Sequence, residues 1–344
     1  MKTVHSAERL FENTRLLVFS GQDQISHRRV AEIGSFLQTG DVLVINRSAT
    51  LPSSFRGRVQ RTQAEIEIRL AAFQGPDPTD LSSWQAISFG SGDWQIPTED
   101  RGPAPELRAG DQILIAENLQ AEVLEVQQKR IIRLRFISPD LMSALYQHGQ
   151  AIQYAYHHQP LQIWDQQTIF SGPPISVEPP SAGFAFSWEL MFKLRAKGVQ
   201  IVTLLHSAGL SSTGDPLLDQ ALPLNEWYEI PTETVSAIQT AKASGHRVVA
   251  LGTTVLRALE SAASSGHLQA GQGISSLKIK PGYRFRVINA LVTGMHEPGS
   301  SHMRILDALY PMSLIERGYA EAAQLGYRGH EYGDLSLLDC RACA

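Results

Sequence analysis

The residues Leu251-Gly252-Thr253-Thr254 join an apolar run, Arg247 to Leu251, to an amphipathic run that starts at Thr254. A strand running straight into a helix puts this turn at the carboxyl end of a strand, where open α/β sheets bind ligands. Gly252 lets the backbone approach a ligand closely. The free N–H groups of a helix start, with the Thr253 and Thr254 hydroxyls, would hold a carboxylate or phosphate. The alternative is a threonine N-cap with no ligand. Arg257 and Glu260 stand one turn apart on the same helix, and a surface ion pair is the plainer reading of them. The glycines and lysine of a Walker loop are missing.

Pro281-Gly282-Tyr283-Arg284-Phe285 is a second constellation. Tyr283 or Phe285 could stack on a base, and Arg284 could bind an anion. A hairpin edge with core aromatics is the plainer alternative. Three acid–base candidates follow: His206 before Ser207-Ala208-Gly209, Glu226 in Asn225-Glu226-Trp227-Tyr228, and His296 in Gly294-Met295-His296-Glu297-Pro298, with Ser300 and Ser301 after it. Each suits a general acid or base, and each alone suits a structural place as well. Asn46 follows another apolar run, and His157-His158 reads as surface. No H-E-x-x-H, paired C-x-x-C or G-x-S-x-G occurs, and no metal is expected. Cys340 and Cys343 form a single C-x-x-C, which cannot complete a tetrahedral zinc site alone. A solvated tail is expected there, with redox or intermolecular metal binding as the other roles.

These side chains need elements to position them. Arg15 to Phe19 and Val42 to Ile45 read as buried strands, with an amphipathic helix over Val30 to Leu37 between them. From about Arg56 the texture changes. Arg58 to Leu70 and Trp84 to Phe89 alternate, then Gln112 to Ala116, Ala121 to Val126 and Ile131 to Ile137 follow between Pro-, Gly- and Asp-rich loops. This predicts an all-β, barrel-like domain over 56–137, inserted into an α/β main domain of 1–55 and 138–344. Further expected helices cover Ser138 to His148 (Ser138 as N-cap), Ser187 to Lys197, Pro231 to Ser244 and Thr254 to Ser264, with two more near 300–309 and 311–325. Expected strands cover Val199 to Leu205, Arg247 to Leu251 and Phe285 to Val292.

The chain has 344 residues, 43% of them hydrophobic, enough for a sizeable core. Its net charge of -4 disfavours a bulk basic nucleic-acid domain, although a basic patch could occupy one face. No apolar leader and no 18-residue apolar run is present, so neither secretion nor membrane spanning is expected. A core without disulfides fits a reducing cytoplasm.

In this order the pieces resemble one family, the S-adenosylmethionine:tRNA ribosyltransferase-isomerases of queuosine biosynthesis. Arg247 to Glu260 (RVVALGTTVLRALE) is similar to the family's longest motif, and Pro281 to Phe285 with Asn289 to Thr293 (NALVT) to its next block. Tyr327-Arg328 and Tyr332-Gly333-Asp334 resemble the closing Y-R-x-x-x-Y-G-D. Gly40 to Asn46 (GDVLVIN), with Pro52 and Gly57, resembles an early block. The match runs over most of the chain and is weakest in the β insertion.

The resemblance implies an α/β body with an inserted barrel. It implies a cytoplasmic enzyme, expected as a monomer, that takes S-adenosylmethionine as a ribosyl donor. The acceptor is a 7-aminomethyl-7-deazaguanine base in tRNA, the product is epoxyqueuosine, and adenine and methionine leave. That chemistry needs a carboxylate anchor, which Gly252, Thr253 and Thr254 could supply with Arg257 nearby, an adenine platform, for which Tyr283 is a candidate, and proton transfers, for which His206, Glu226 and His296 are candidates. Arg284, Ser181, Gly183, Asn46, Ser300, Tyr332 and Asp334 are the other expected substrate contacts.

The chain departs from the family pattern in several places. T-A-G-L-H-F reads Ser181 to Phe186 with Ala185 for the histidine, and M-H-S-E reads Pro223 to Glu226 with Leu224 for the histidine. The loop N-F-H-L-P-x-S-T carries Glu297, and His330-Glu331 precedes Tyr332 in place of F-S. Lost histidines and added acids at substrate-facing loops would suit a paralogue with a small-molecule acceptor; a non-catalytic binding protein on the same fold is the third reading. A basic stripe near residues 252 and 296 would favour the tRNA enzyme.

Overall fold

Leu16 to Phe19 and Val42 to Val44 are fully buried. Strands of this kind belong inside a sheet covered on both faces. They are β1 (Arg15–Ser20) and β3 (Val42–Asn46), separated in sequence by the edge strand β2 (Gln24–Arg29). The computed structural model describes residues 13–21, 23–97, 100–128, 130–154, 159–296, 300–329 and 332–339. His157-His158, Glu297, His330-Glu331, Cys340 and Cys343 lie outside them. The helix expected over Val30 to Leu37 is a 3-10 helix, Val30–Ser35. Its buried residues, Val30 and Ile33, are three apart, which suits three residues per turn.

β4 (Ser54–Val59), β5 (Glu65–Phe73), β6 (Ser83–Phe89), β7 (Gln112–Ala116), β8 (Leu119–Gln128) and β9 (Ile131–Ile137) form a closed antiparallel barrel in the order β4-β5-β6-β9-β8-β7. Pairing of Arg58 with Leu114 and of Val59 with Ile113 closes it. The apolar core of the barrel continues into Leu205, Leu210 and Trp227 of the body. Phe73 meets Trp227 edge-on with ring centroids 5.9 Å apart. A bulge between Leu70 and Ala72 interrupts the β5 register, and the Ala71 carbonyl accepts the Leu210 N–H at 2.9 Å.

After the barrel, α1 (Leu141–His148) is capped by Asp140, whose carboxylate accepts the Ser143 N–H. The cap is thus two residues later than expected at Ser138, because the acidic side chain reaches the first turn. The body continues through α2 (Trp188–Ala196), β10 (Gln200–His206), α3 (Pro216–Asp219), β11 (Glu226–Ile230), α4 (Thr232–Ala243), β12 (Val248–Leu251), α5 (Thr253–Ala262), β13 (Gly271–Ser275), β14 (Ala290–Gly294), α6 (Ser301–Leu309), α7 (Met312–Gln324) and β15 (Leu335–Asp339).

The nine-stranded sheet has the order β13-β11-β10-β3-β12-β14-β15-β1-β2. Its centre, β10-β3-β12-β14, is parallel. One face of the sheet packs on α4 to α7 and the other on α2 and the 3-10 helices. The strand expected over Phe285 to Val292 shrinks to β14. The N–H groups of Arg286, Val287 and Ile288 go instead to the Glu260 carboxylate, at 2.9 to 3.1 Å, so this stretch has no ladder to join.

Candidate functional site

β12 turns into α5 through Gly252, which holds φ +96° and ψ 154°. Its N–H bonds the Val292 carbonyl of β14 at 2.8 Å. Gly252 itself is the cap residue, and no side chain caps this helix start. The threonine N-cap alternative therefore does not form: Thr253 and Thr254 are the first two helical residues. First-turn N–H groups have no acceptor within their helix. Gly252, Thr253, Thr254 and Arg257 all line a cavity of about 650 Å³.

Beneath this turn is a buried polar cluster. Arg257 pairs with Glu226 on β11 rather than with Glu260. Its guanidinium also donates to the Leu277 and Ser275 carbonyls at 3.3 and 3.4 Å. Burial brings the Arg257 pKa down to about 10. The other Glu226 oxygen accepts the Gly209 N–H at 2.7 Å. His206 lies behind, fully buried, with Nε2 3.4 Å from Glu226 Oε2. Burial, with the Arg257 cation adding, pushes the His206 pKa well below its usual value. Asn46 staples the strand ends together: its oxygen accepts the His206 N–H at 3.0 Å, and its amide donates to the His206 carbonyl at 2.9 Å and to the Thr254 hydroxyl at 3.5 Å.

A second wall carries two histidines. His296 and His302 stack with centroids 4.7 Å apart and planes 13° apart. His296 Nε2 is 2.8 Å from the Thr293 hydroxyl, and its backbone N–H donates to the Tyr319 hydroxyl at 3.2 Å. Burial and the nearby His302 hold the His296 pKa well below its usual value. Burial and Arg257 bring His302 down to about 4. Both imidazoles are neutral at pH 7. Ser300 caps α6, its hydroxyl oxygen accepting the Met303 N–H at 3.2 Å, and lines the same cavity. Ser181 contributes from the 3-10 helix Ser181–Ala185.

Charged residues of both signs line the rim. Lys278, Lys280 and Arg304 line it, as do Tyr154, Glu178 and Asp219. The Glu178 carboxylate accepts the Tyr154 hydroxyl and, at 3.2 Å, the Ser211 N–H. Asp219 is engaged by Thr213 and Ser212 at 2.6 to 2.9 Å. Reasoning from sequence missed His302, Glu178, Tyr154 and these cations, because single polar residues between apolar ones carry no spacing signal. Among the described residues, no group of three or more His, Cys, Asp or Glu could hold a metal ion.

A family model described as queuosine biosynthesis protein matches residues 5–338. The chain belongs to the queuosine biosynthesis protein family. It is 33% identical, over 94% of its length and 92% of theirs, to the S-adenosylmethionine:tRNA ribosyltransferase-isomerase of Thermus thermophilus. It is 34% identical to the protein of that name from Azoarcus sp., over 94% of this chain and 90% of the relative, and 30% identical to that from Desulfitobacterium hafniense, over 95% and 93%. In fold it is similar to the crystal structure of the S-adenosylmethionine tRNA ribosyltransferase of Thermotoga maritima, with TM-score 0.50 and 24% identity over 98% and 95% of the two chains.

Several expected contacts of this family member are not among the residues that line the cavity. The Tyr283 hydroxyl donates to Glu260 at 3.2 Å and its ring packs edge-on against Phe285, while Arg284 is exposed. Gly183 is buried, with room for a Cβ only 3.1 Å from the Thr168 methyl. Tyr332 stacks on Phe184 at 5.1 Å and accepts the Gln166 amide at 2.7 Å. Asp334 accepts the backbone N–H groups of Arg15 and Arg328, both at 2.8 Å. The two positions that lack the family histidines are not among the cavity-lining residues either. Ala185 is buried in the core that covers one sheet face, and Leu224 packs against the core of the barrel.

Proposed function

We propose that this chain uses S-adenosylmethionine as a ribosyl donor and builds epoxyqueuosine on a 7-aminomethyl-7-deazaguanine base in tRNA, releasing adenine and methionine. One observation carries the reading. An uncapped helix start, backed by a buried arginine, opens into a cavity whose rim bears Lys278, Lys280 and Arg304. That pairing suits a donor with a carboxylate and an acceptor with phosphates. The donor's methionyl carboxylate sits on the N–H groups and hydroxyls of Thr253 and Thr254.

The sulfonium acidifies the ribose C5′ protons. A neutral imidazole of the His296–His302 pair takes one of them, and the protonated imidazole gives it to the adenine nitrogen that leaves with the glycosidic bond's electron pair. Glu226, which also lines the cavity, positions Arg257 and the Gly209 loop, with His206 and Asn46 behind it. The enzyme works in the cytoplasm with its tRNA, as a main domain of residues 1–55 and 138–344 carrying residues 56–137 as an insertion.

Incubation with S-adenosylmethionine tests the reading. Adenine release that requires tRNA bearing the precursor base is the expected result. Equal release without RNA would overturn the acceptor, and no release under either condition would overturn the reaction.

A further inference from the structure

Between Glu260 and Glu297 the chain contains no acidic residue, yet Lys278, Lys280, Arg284 and Arg286 fall within nine positions. In a chain of net charge -4 this is a local concentration of positive charge. The segment is pinned as a strap. Ile279 is buried, while Lys278 and Lys280 on either side of it are exposed. Gly282, at φ +82°, turns the strap, and Arg284 is exposed beyond the turn.

Glu260 fixes the far end by accepting the Tyr283 hydroxyl and three successive backbone N–H groups. Arg286 is occupied, donating to the Ala263 and Ser264 carbonyls at the end of α5. Among the described residues, Lys278, Lys280 and Arg284 form no ion pair. The near end of the strap lines the cavity. Cations left without carboxylate partners on a rigid backbone are suited to bind an extended polyanion.

We propose that the strap 278–286 grips the phosphate backbone of the RNA strand on one side of the base that enters the cavity, through Lys278, Lys280 and Arg284. This rests on the acceptor being RNA, as proposed above. Phosphate contacts of this kind set affinity and salt dependence without reading sequence.

The test is equilibrium binding of unmodified tRNA by the full chain across a range of salt concentrations. Arg284→Ala and Lys280→Ala should each make the slope of log affinity against log salt shallower by about 0.7, equivalent to about fivefold weaker binding at 0.1 M salt. The double variant should lose about twice that slope, and Arg284→Lys should retain it. Melting of each variant checks its fold. A double variant that keeps the full slope, or a wild type that binds phosphatidylserine vesicles but not tRNA, would overturn the assignment. Wild type that binds tRNA steeply yet releases no adenine would sink the reaction and leave the strap standing. Adenine release with an unchanged slope in the double variant would do the reverse.

Discussion

Arg257 of α5 and Glu226 of β11 meet as a buried ion pair, and the same carboxylate takes the Gly209 N–H from the loop after β10. One carboxylate thus holds a helix, a sheet strand and a cavity wall in a fixed relation. Removing one member of a buried pair leaves the other charge unpaired, which costs about 3–5 kcal/mol. Arg257→Ala and Glu226→Ala should each destabilise by that amount in urea titrations. The double variant Arg257→Met with Glu226→Leu should lose markedly less. Full additivity of the two single losses in the double variant would refute the pairing.

Gly252 occupies a backbone conformation that essentially only glycine adopts, and there is space around it: an added Cβ would meet the Thr254 hydroxyl at 3.5 Å and Ala182 at 3.8 Å. The cost of Gly252→Ala is therefore conformational. A loss of about 1–3 kcal/mol of stability is expected. S-adenosylmethionine affinity should fall with it, read by titration calorimetry, because relief of the strain rotates the first N–H groups of α5. Unchanged affinity would argue against the anchor.

His302, brought down to about 4 from an ordinary 6.5, stays neutral in the folded chain while the unfolded chain takes up a proton. Between those values the unfolded state binds more protons, so stability falls as pH drops from about 6.5 toward 4. His296, shifted the same way, adds to it. Urea midpoints measured against pH should flatten across this window in His302→Asn. An unaltered acid slope would exclude the burial argument.

Glu260 accepts four hydrogen bonds at the base of the strap. Glu260→Gln puts an amide donor against N–H groups that need an acceptor. A loss of about 2–3 kcal/mol is expected from denaturant unfolding. The Tyr283 hydroxyl, pushed up to about 12 by burial first and Glu260 second, should move part of the way back toward 10 in the variant, visible by ultraviolet titration.

The parallel strands were legible because each is a short unbroken apolar run: Val42 to Ile45 and Val248 to Leu251 could hardly be placed elsewhere. The barrel was legible from alternation. The strands that escaped were β11 and β15 inside the sheet and β2 and β13 at its edges. β2 is polar at every position but Ile25 (QISHRR) and β13 is glycine-rich (GQGIS), so neither has a buried face to announce it. In the site, Gly252 to Thr254 could be read because strand, glycine and helix are contiguous. The partner of Arg257 could not: Glu226 is 31 residues away and reaches it only through sheet pairing, whereas Glu260 is its neighbour along the helix. Sequence could not separate Tyr283, which clamps the strap to Glu260, from Arg284, which stays exposed, because an aromatic beside a cation reads alike in either place.

The bulge at Ala71 ties the cavity to a distant part of the chain. Its carbonyl receives Leu210, and a side chain at position 209 would start only 2.4 Å from it. Gly209 is also the donor to Glu226, so the wall of the site takes its shape against a barrel strand far earlier in the sequence. Such a long-range contact forms only after both partners have ordered. A molecule with its sheet complete but its barrel open would carry the helix anchor and the histidines yet have no finished pocket to use them in.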